Sequence, residues 1–279
     1  MSKVIVPGCE LYYEIADLTP PWTTAAHTIL FHHGIGSTSG IWSQWFPILA
    51  DRFRLVRFDL SGHGRSRARA AGSVISLDVF ADEIFAVADA AEVETFHLVG
   101  ESIGGTIALN AAIRRPERIL TLTVSNGAHL GSSIEAVHDW RQTIEALGMP
   151  VWSKRMMHHR FFDGAIGPEM WQWFEREQAN VSPDCVLEAL AVLVGTDLSP
   201  LLNTLNLPVL LMHGDPSPFI PISLMADLKS KLPDSRLKIF PHARHGLPFS
   251  HAKECAETLR LFLDETESKT SEGLKRKSL

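Results

Sequence analysis

The chain has 279 residues, 45% of them hydrophobic, enough to bury the core of one domain or of one domain with a sizeable insertion. A formal net charge of -6 leaves no basic excess to draw nucleic acid or an anionic membrane surface. Cys9, Cys185 and Cys255 form no CxxC pair and no metal-ligand spacing, which predicts reduced cysteines, a cytoplasmic setting and no metal.

The amino-terminal run MSKVIVPGCELYYEI is too polar for a signal peptide, and no apolar stretch approaches the roughly 20 residues of a membrane span. Short β-branched or apolar runs then recur at Lys3–Val6, Leu11–Ile15, Thr28–His32, Arg54–Phe58, Thr95–Val99, Leu120–Val124, Val209–Met212 and Leu237–Phe240. The segment Val209-Leu-Leu-Met is apolar throughout, as a strand buried on both faces of a parallel sheet must be. Helical periodicity occupies Ile75–Ala91, Gly105–Arg114 and Ala252–Leu263. The alternation predicts an α/β fold, a doubly wound, mostly parallel eight-stranded sheet. From His129 to Leu205 the rhythm stops, and helical patterns are broken at Gly148-Met-Pro150, Asp163-Gly164, Gly167-Pro168, Ser182-Pro183 and Ser199-Pro200. Trp140, Trp152, Trp171 and Trp173 fall here, with Met156, Met157, Phe161 and Phe162. An insertion this long between strands predicts a helical cap over the carboxyl edge of the sheet. The expected division is 1–128 and 206–265 for the core, 129–205 for the cap and 266–279 for a disordered tail, charged and rich in serine.

The segment Gly100-Glu-Ser102-Ile-Gly104-Gly105 lies between the strand at Thr95–Val99 and the helix from Gly105. A strand-to-helix turn of this kind holds its central residue in an unfavourable backbone conformation and lifts its hydroxyl above the sheet, next to the positive end of the helix. Ser102 is therefore the candidate nucleophile. A serine hydroxyl needs a base at neutral pH, and histidine is the usual one.

Three further motifs carry a resemblance: Phe31-His-His-Gly34-Ile35-Gly36, Asp59-Leu-Ser-Gly-His63-Gly-Arg65-Ser66, and Pro241-His242-Ala-Arg244-His245-Gly246. With the Gly100–Gly104 turn, they make residues 3–264 resemble an α/β-hydrolase-fold enzyme. Segment by segment the chain is most similar to 3-oxoadipate enol-lactonases and small carboxylesterases, through Ser102-Ile-Gly-Gly, Arg57–Ser66, Ser125-Asn-Gly-Ala-His-Leu-Gly, Trp140 and His159-Arg-Phe-Phe. The resemblance implies His245, rather than His242, as the base. It also implies an oxyanion hole of backbone amides from Ile35 and Ile103, and no cofactor.

The third member departs from the family pattern. His213-Gly-Asp215-Pro-Ser217-Pro-Phe-Ile-Pro221 aligns without a gap and puts Ser217 where the family has an acid. Asp215 stands two residues early, and Asn126 is nearest the alternative place after the sixth strand. Asp215 is the favoured partner of His245, because an anion fixes the tautomer and stabilises the imidazolium. Asn126, Ser217 or a plain dyad stay open. Asp59 is explained by its turn, and Glu101 either faces the substrate or packs behind the serine, the second being favoured. Arg141, Arg155 and Arg160 have the chemistry to grip a substrate carboxylate, with a solvent-facing position the default for each.

The expected activity is hydrolysis of an ester or lactone of a small organic molecule through an acyl-enzyme, with no nucleic-acid or membrane partner. Two other classes fit the same fold: a C–C bond hydrolase or cofactor-free enzyme using the histidine as a base on carbon, and a slowly hydrolysing ligand receptor.

Overall fold

In the computed structural model, which describes residues 2–23 and 26–277, β-branched and apolar runs form an eight-stranded sheet in the order β1-β2-β4-β3-β5-β6-β7-β8. The strands are β1 (Ser2–Val6), β2 (Cys9–Ala16), β3 (Thr28–His32), β4 (Arg54–Phe58), β5 (Phe96–Glu101), β6 (Ile119–Ser125), β7 (Val209–Asp215) and β8 (Ser235–Pro241). Pairings β1–β2 and β2–β4 are antiparallel, and the rest are parallel. This is the predicted doubly wound architecture.

Successive side chains of a strand point to opposite faces, and here they join two separate cores. Leu30, Val56, Leu98 and Leu211 pack on one face against α2 (after α1, Phe46–Leu49; α2 is Leu77–Ala90) and α3 (Ile103–Arg114). Ile29, Phe31, Leu55, Val99 and Met212 pack on the other, with Trp42 and Trp45.

The segment between β6 and β7 is helical, as expected of a cap. It contains α4 (Trp140–Arg160), α5 (Pro168–Ala179) and α6 (Pro183–Val194). Gly148 at φ 80 and Pro150 kink α4. Pro168 and Pro183 open the next two helices, at the position where a missing N–H costs nothing. After β7 come α7 (Ile222–Lys231), β8, α8 (Leu247–Ser250) and α9 (Ala252–Lys277).

The tail departs from expectation. A disordered stretch over 266–279 was expected from composition, but the backbone stays helical to Lys277, and residues 278–279 lie outside those described. The tail is rich in Glu and Lys, which are good helix formers on an already nucleated helix. No helix among the described residues is long and apolar enough to cross a membrane.

Candidate active site

Ser102 stands between β5 and α3 with φ 57 and ψ -125, a conformation an L-residue rarely adopts. The sequence permits this turn because the residues two before and two after Ser102 are glycines. A Cβ on Gly100 would lie 2.3 Å from the Gly104 carbonyl oxygen, and one on Gly104 would lie 2.6 Å from the His33 carbonyl oxygen. The Ser102 amide donates to the Ser125 carbonyl at 2.9 Å, tying the turn to β6.

His245 follows β8 and places Nε2 2.9 Å from Ser102 Oγ. His242 makes no such contact. The His245 ring meets Phe219 edge-on, with centroids 4.8 Å apart, and Phe219 in turn packs on Trp140 of α4. Burial, then the Arg160 guanidinium and His213, holds the His245 imidazole well below its ordinary pKa, so the ring is a neutral base at neutral pH.

The group behind the imidazole is Ser217, whose Oγ lies 3.2 Å from His245 Nδ1. Asp215, the favoured partner, makes no hydrogen bond to His245 among the described residues. Strand β7 runs to Asp215, which pairs in register with Pro241, so its side chain follows the pleat of the sheet. Ser217 lies two residues further, beyond the strand end, where a turn faces the histidine. Ser217 Oγ also accepts from the Ile220 amide at 3.3 Å. With Nδ1–H donating to Ser217, Nε2 is left free to accept the Ser102 proton. Asn126 serves the backbone instead: Nδ2 donates to the His245 carbonyl at 2.9 Å, and Oδ1 accepts from the Gly214 amide at 3.0 Å. Asp59 takes the amides of Ser39 and Arg65, the turn role expected of it.

Ile35 and Ile103 are both fully buried beside Ser102, and neither amide donates to a protein acceptor among the described residues. The Ile35 loop is held from above by the cap. Arg160, at the end of α4, donates through Nη2 to the Ile35 carbonyl at 2.6 Å and through Nε to Gln178 Oε1 at 2.8 Å. Gln178 of α5 donates to the Ser153 carbonyl and hydroxyl, both at 3.0 Å. Arg160 is thus buried, while Arg141 is exposed and pairs with Glu145, and Arg155 bonds Thr143.

Glu101 lies inside the elbow. It is buried, but its Oε1 faces into the site, 3.9 Å from both His245 Nε2 and Arg160 Nη1. Burial pushes its carboxyl up to about 7, against the pull of Arg160 and the Gly34 amide. The available signal was its place inside the elbow itself, one residue before the nucleophile.

Ser102, His245, Ile35, Asn126 and Arg160 open on a chamber walled by Ile134, Val137, Trp140, Leu190, Leu193, Phe219 and Ile220. It holds about 20 Å³ of free space, room for about one water. Ile134, Val137 and Leu190 also line an outer groove of about 430 Å³ that includes His138 and Arg141. Several large cap side chains are packing residues: Met157, Phe161 and Phe174 join the core, and Trp173 stacks on Phe249 at 5.5 Å.

Residues 27–252 match the family model described as alpha/beta hydrolase fold. A pimeloyl-[acyl-carrier protein] methyl ester esterase of Nitrosomonas europaea is 29% identical, the match covering 78% of this chain and 87% of that protein. A 2-hydroxymuconate semialdehyde hydrolase of a Pseudomonas species is 26% identical, covering 88% of this chain and 89% of its own. Among solved structures, the enol-lactonase of Burkholderia xenovorans superposes with a TM-score of 0.83 at 19% identity, over 94% of this chain and 100% of that one.

Proposed function

We propose that this chain, which belongs to the alpha/beta hydrolase fold family and is a hydrolase, cleaves an ester or lactone bond of a small, largely apolar substrate through an acyl-enzyme on Ser102. The observation that carries the reading is the 2.9 Å contact between Ser102 Oγ and His245 Nε2, on a residue held at φ 57 at the start of a helix. In the acylation step Ser102 Oγ bonds the carbonyl carbon while its proton passes to His245 Nε2. The carbonyl π pair moves onto oxygen, facing the Ile35 and Ile103 amides, which fix negative charge without reorganising. Collapse expels the leaving alcohol, which takes the proton from Nε2, and water then repeats the sequence in reverse.

The apolar chamber wall supports an apolar acyl or alcohol portion. Because the chamber has room for about one water, the substrate displaces the Ile134, Val137 and Leu190 wall to reach Ser102 from the outer groove. A small-molecule substrate and no macromolecular partner belong to this reading. A C–C hydrolase remains the second reading, favoured by the relative that bears that kind of name and by the absence of a carboxylate on Nδ1.

Labelling tests the nucleophile. A fluorophosphonate should form one stoichiometric adduct, and peptide mass analysis should place it on Ser102; an unlabelled Ser102 in active protein would remove the acyl-enzyme from the reading. Ser217→Ala offers a further check. A neutral hydroxyl orients the ring but adds no charge, so kcat should fall about 10- to 100-fold, well short of the roughly 10⁴ that follows loss of a charged partner. A fall of that larger size in ester turnover would show that Ser217 does more than orient.

A further inference from the structure

We propose that Glu101 is the anionic counter-charge of the Ser102–His245 dyad, a positioning residue that stabilises the imidazolium from the Nε2 side because the group on the Nδ1 side is a neutral serine. The inference rests on the serine-hydrolase reading. Its first support is the place of the charges. A proton moving from Ser102 to His245 creates a cation in a site that already holds the buried Arg160 guanidinium, itself one of the groups depressing the imidazole. Among the described residues no acidic side chain hydrogen-bonds His245, and Ser217 Oγ is what Nδ1 meets. Glu101 Oε1 is 3.9 Å from Nε2 and 3.9 Å from Arg160 Nη1, so one carboxylate offsets both cations.

The second support is that the carboxylate is held but not consumed. Glu101 Oε2 is buried without a hydrogen-bond partner, and a Cβ on Gly34 would lie 2.3 Å from it, so the glycine leaves it the space it occupies. A carboxylate placed only for structure would have its lone pairs taken. The groups facing it are few. Arg160 comes from α4, His245 from the loop after β8 with His213 of β7 beside it, and the Gly34 amide from the loop after β3. His33, in the same loop, accepts from the Leu60 amide and is lowered to about 3 by burial, so it is neutral.

A pH signature follows. Glu101, raised to about 7, is protonated and uncharged below that pH and anionic above it. His245, held well below 6.5, is already an unprotonated base there. A rise in kcat through about pH 7 therefore belongs to Glu101, and a separate limb at lower pH to His245.

The test is hydrolysis of an activated aryl acetate by the full chain between pH 5 and 9, for wild type, Glu101→Gln and Glu101→Asp. Wild type should show the limb near 7. Glu101→Gln should lose that limb and run at the level of the wild-type acidic plateau, about one to two orders of magnitude below the wild-type alkaline rate. Glu101→Asp should restore part of the limb. A Glu101→Gln profile that keeps the limb, or keeps the wild-type rate, overturns the proposal. So does a wild-type profile flat around pH 7, which needs no variant to fold. Fluorophosphonate labelling of wild-type Ser102 separates the two failures: no label removes the serine-hydrolase reading and this one with it, whereas a label with an unchanged Glu101→Gln profile removes only the role of Glu101.

Discussion

Ser102→Ala is expected to lower kcat toward an activated ester by about 10⁶-fold, on the scale seen when a serine nucleophile is deleted from a comparable site. The hydroxyl of half-buried Ser102 meets His245 at 2.9 Å, and the buried Ile35 and Ile103 carry the proposed oxyanion amides. Deleting Oγ removes the atom that bonds the substrate, while the oxyanion amides and the chamber stay. A residual rate above water, about 10³-fold or more, is therefore expected, and it should not respond to fluorophosphonate. The alanine has a Cβ like the serine it replaces, so the φ 57 turn carries no new steric conflict, and the unfolding midpoint should stay close to wild type. The same variant discriminates between chemistries. If His245 instead draws a proton from carbon, turnover survives without Oγ, and Ser102→Ala with more than about a tenth of wild-type kcat would decide for that class.

Much of this machinery is legible in the sequence, for identifiable reasons. Strands β3 and β4 span the residues expected: β3, buried at every position, carries the apolar run Ile29-Leu-Phe31, and β4 buries Leu55, Val56 and Phe58 while Arg54 and Arg57 stay half-buried. The elbow is legible because only glycine fits at 100 and 104, where an added Cβ would lie 2.3 and 2.6 Å from other backbone. His245 is legible because it follows the last strand. The group on Nδ1 is where the two sequence arguments divided. Gap-free spacing put Ser217 at the family position, where its Oγ meets His245 Nδ1, while the preference for an anion favoured Asp215. The difference lies in where β7 ends. That strand carries on past Met212 to Asp215, and hydrogen bonding to β8, rather than composition, decides how far. The cap shows the same limit. Arg141, Arg155 and Arg160 share a helix and a residue type. Which one is buried depends on the Gly148 kink and on how α5 seats Gln178, neither of which periodicity records. For Glu101 the sequence left two orientations open and favoured packing; the 3.9 Å approaches of its Oε1 to Arg160 and His245 depend on tertiary contacts with the cap and the loop after β8.

Arg160→Met is expected to be the most destabilising single change in the cap, by about 3–5 kcal/mol, the range found when one partner of a buried ion pair is removed. Three interactions disappear together: the bond to the Ile35 carbonyl, the bond to Gln178 Oε1, and the charge facing Glu101. Methionine replaces much of the apolar stem, so the loss reports the polar contacts and the guanidinium that lies over the Phe174 ring, 5.2 Å from its centroid, rather than a cavity. Arg160→Lys should rescue little, because one ammonium cannot span acceptors on two different elements as the guanidinium fork does. Urea unfolding followed by tryptophan fluorescence gives the stability, and aryl ester turnover gives the second consequence. With the Ile35 carbonyl released, the loop that carries the proposed Ile35 amide donor is no longer tied to the cap, and kcat should fall along with stability. The pairing with Glu101 is then measured by the double variant Glu101→Gln/Arg160→Met. Removing both charges leaves neither buried alone, so the double variant should be less destabilised than the sum of the two single changes by about 0.5–3 kcal/mol. Strict additivity would mean that, at 3.9 Å, Arg160 holds the oxyanion loop to the cap without drawing on Glu101 at all.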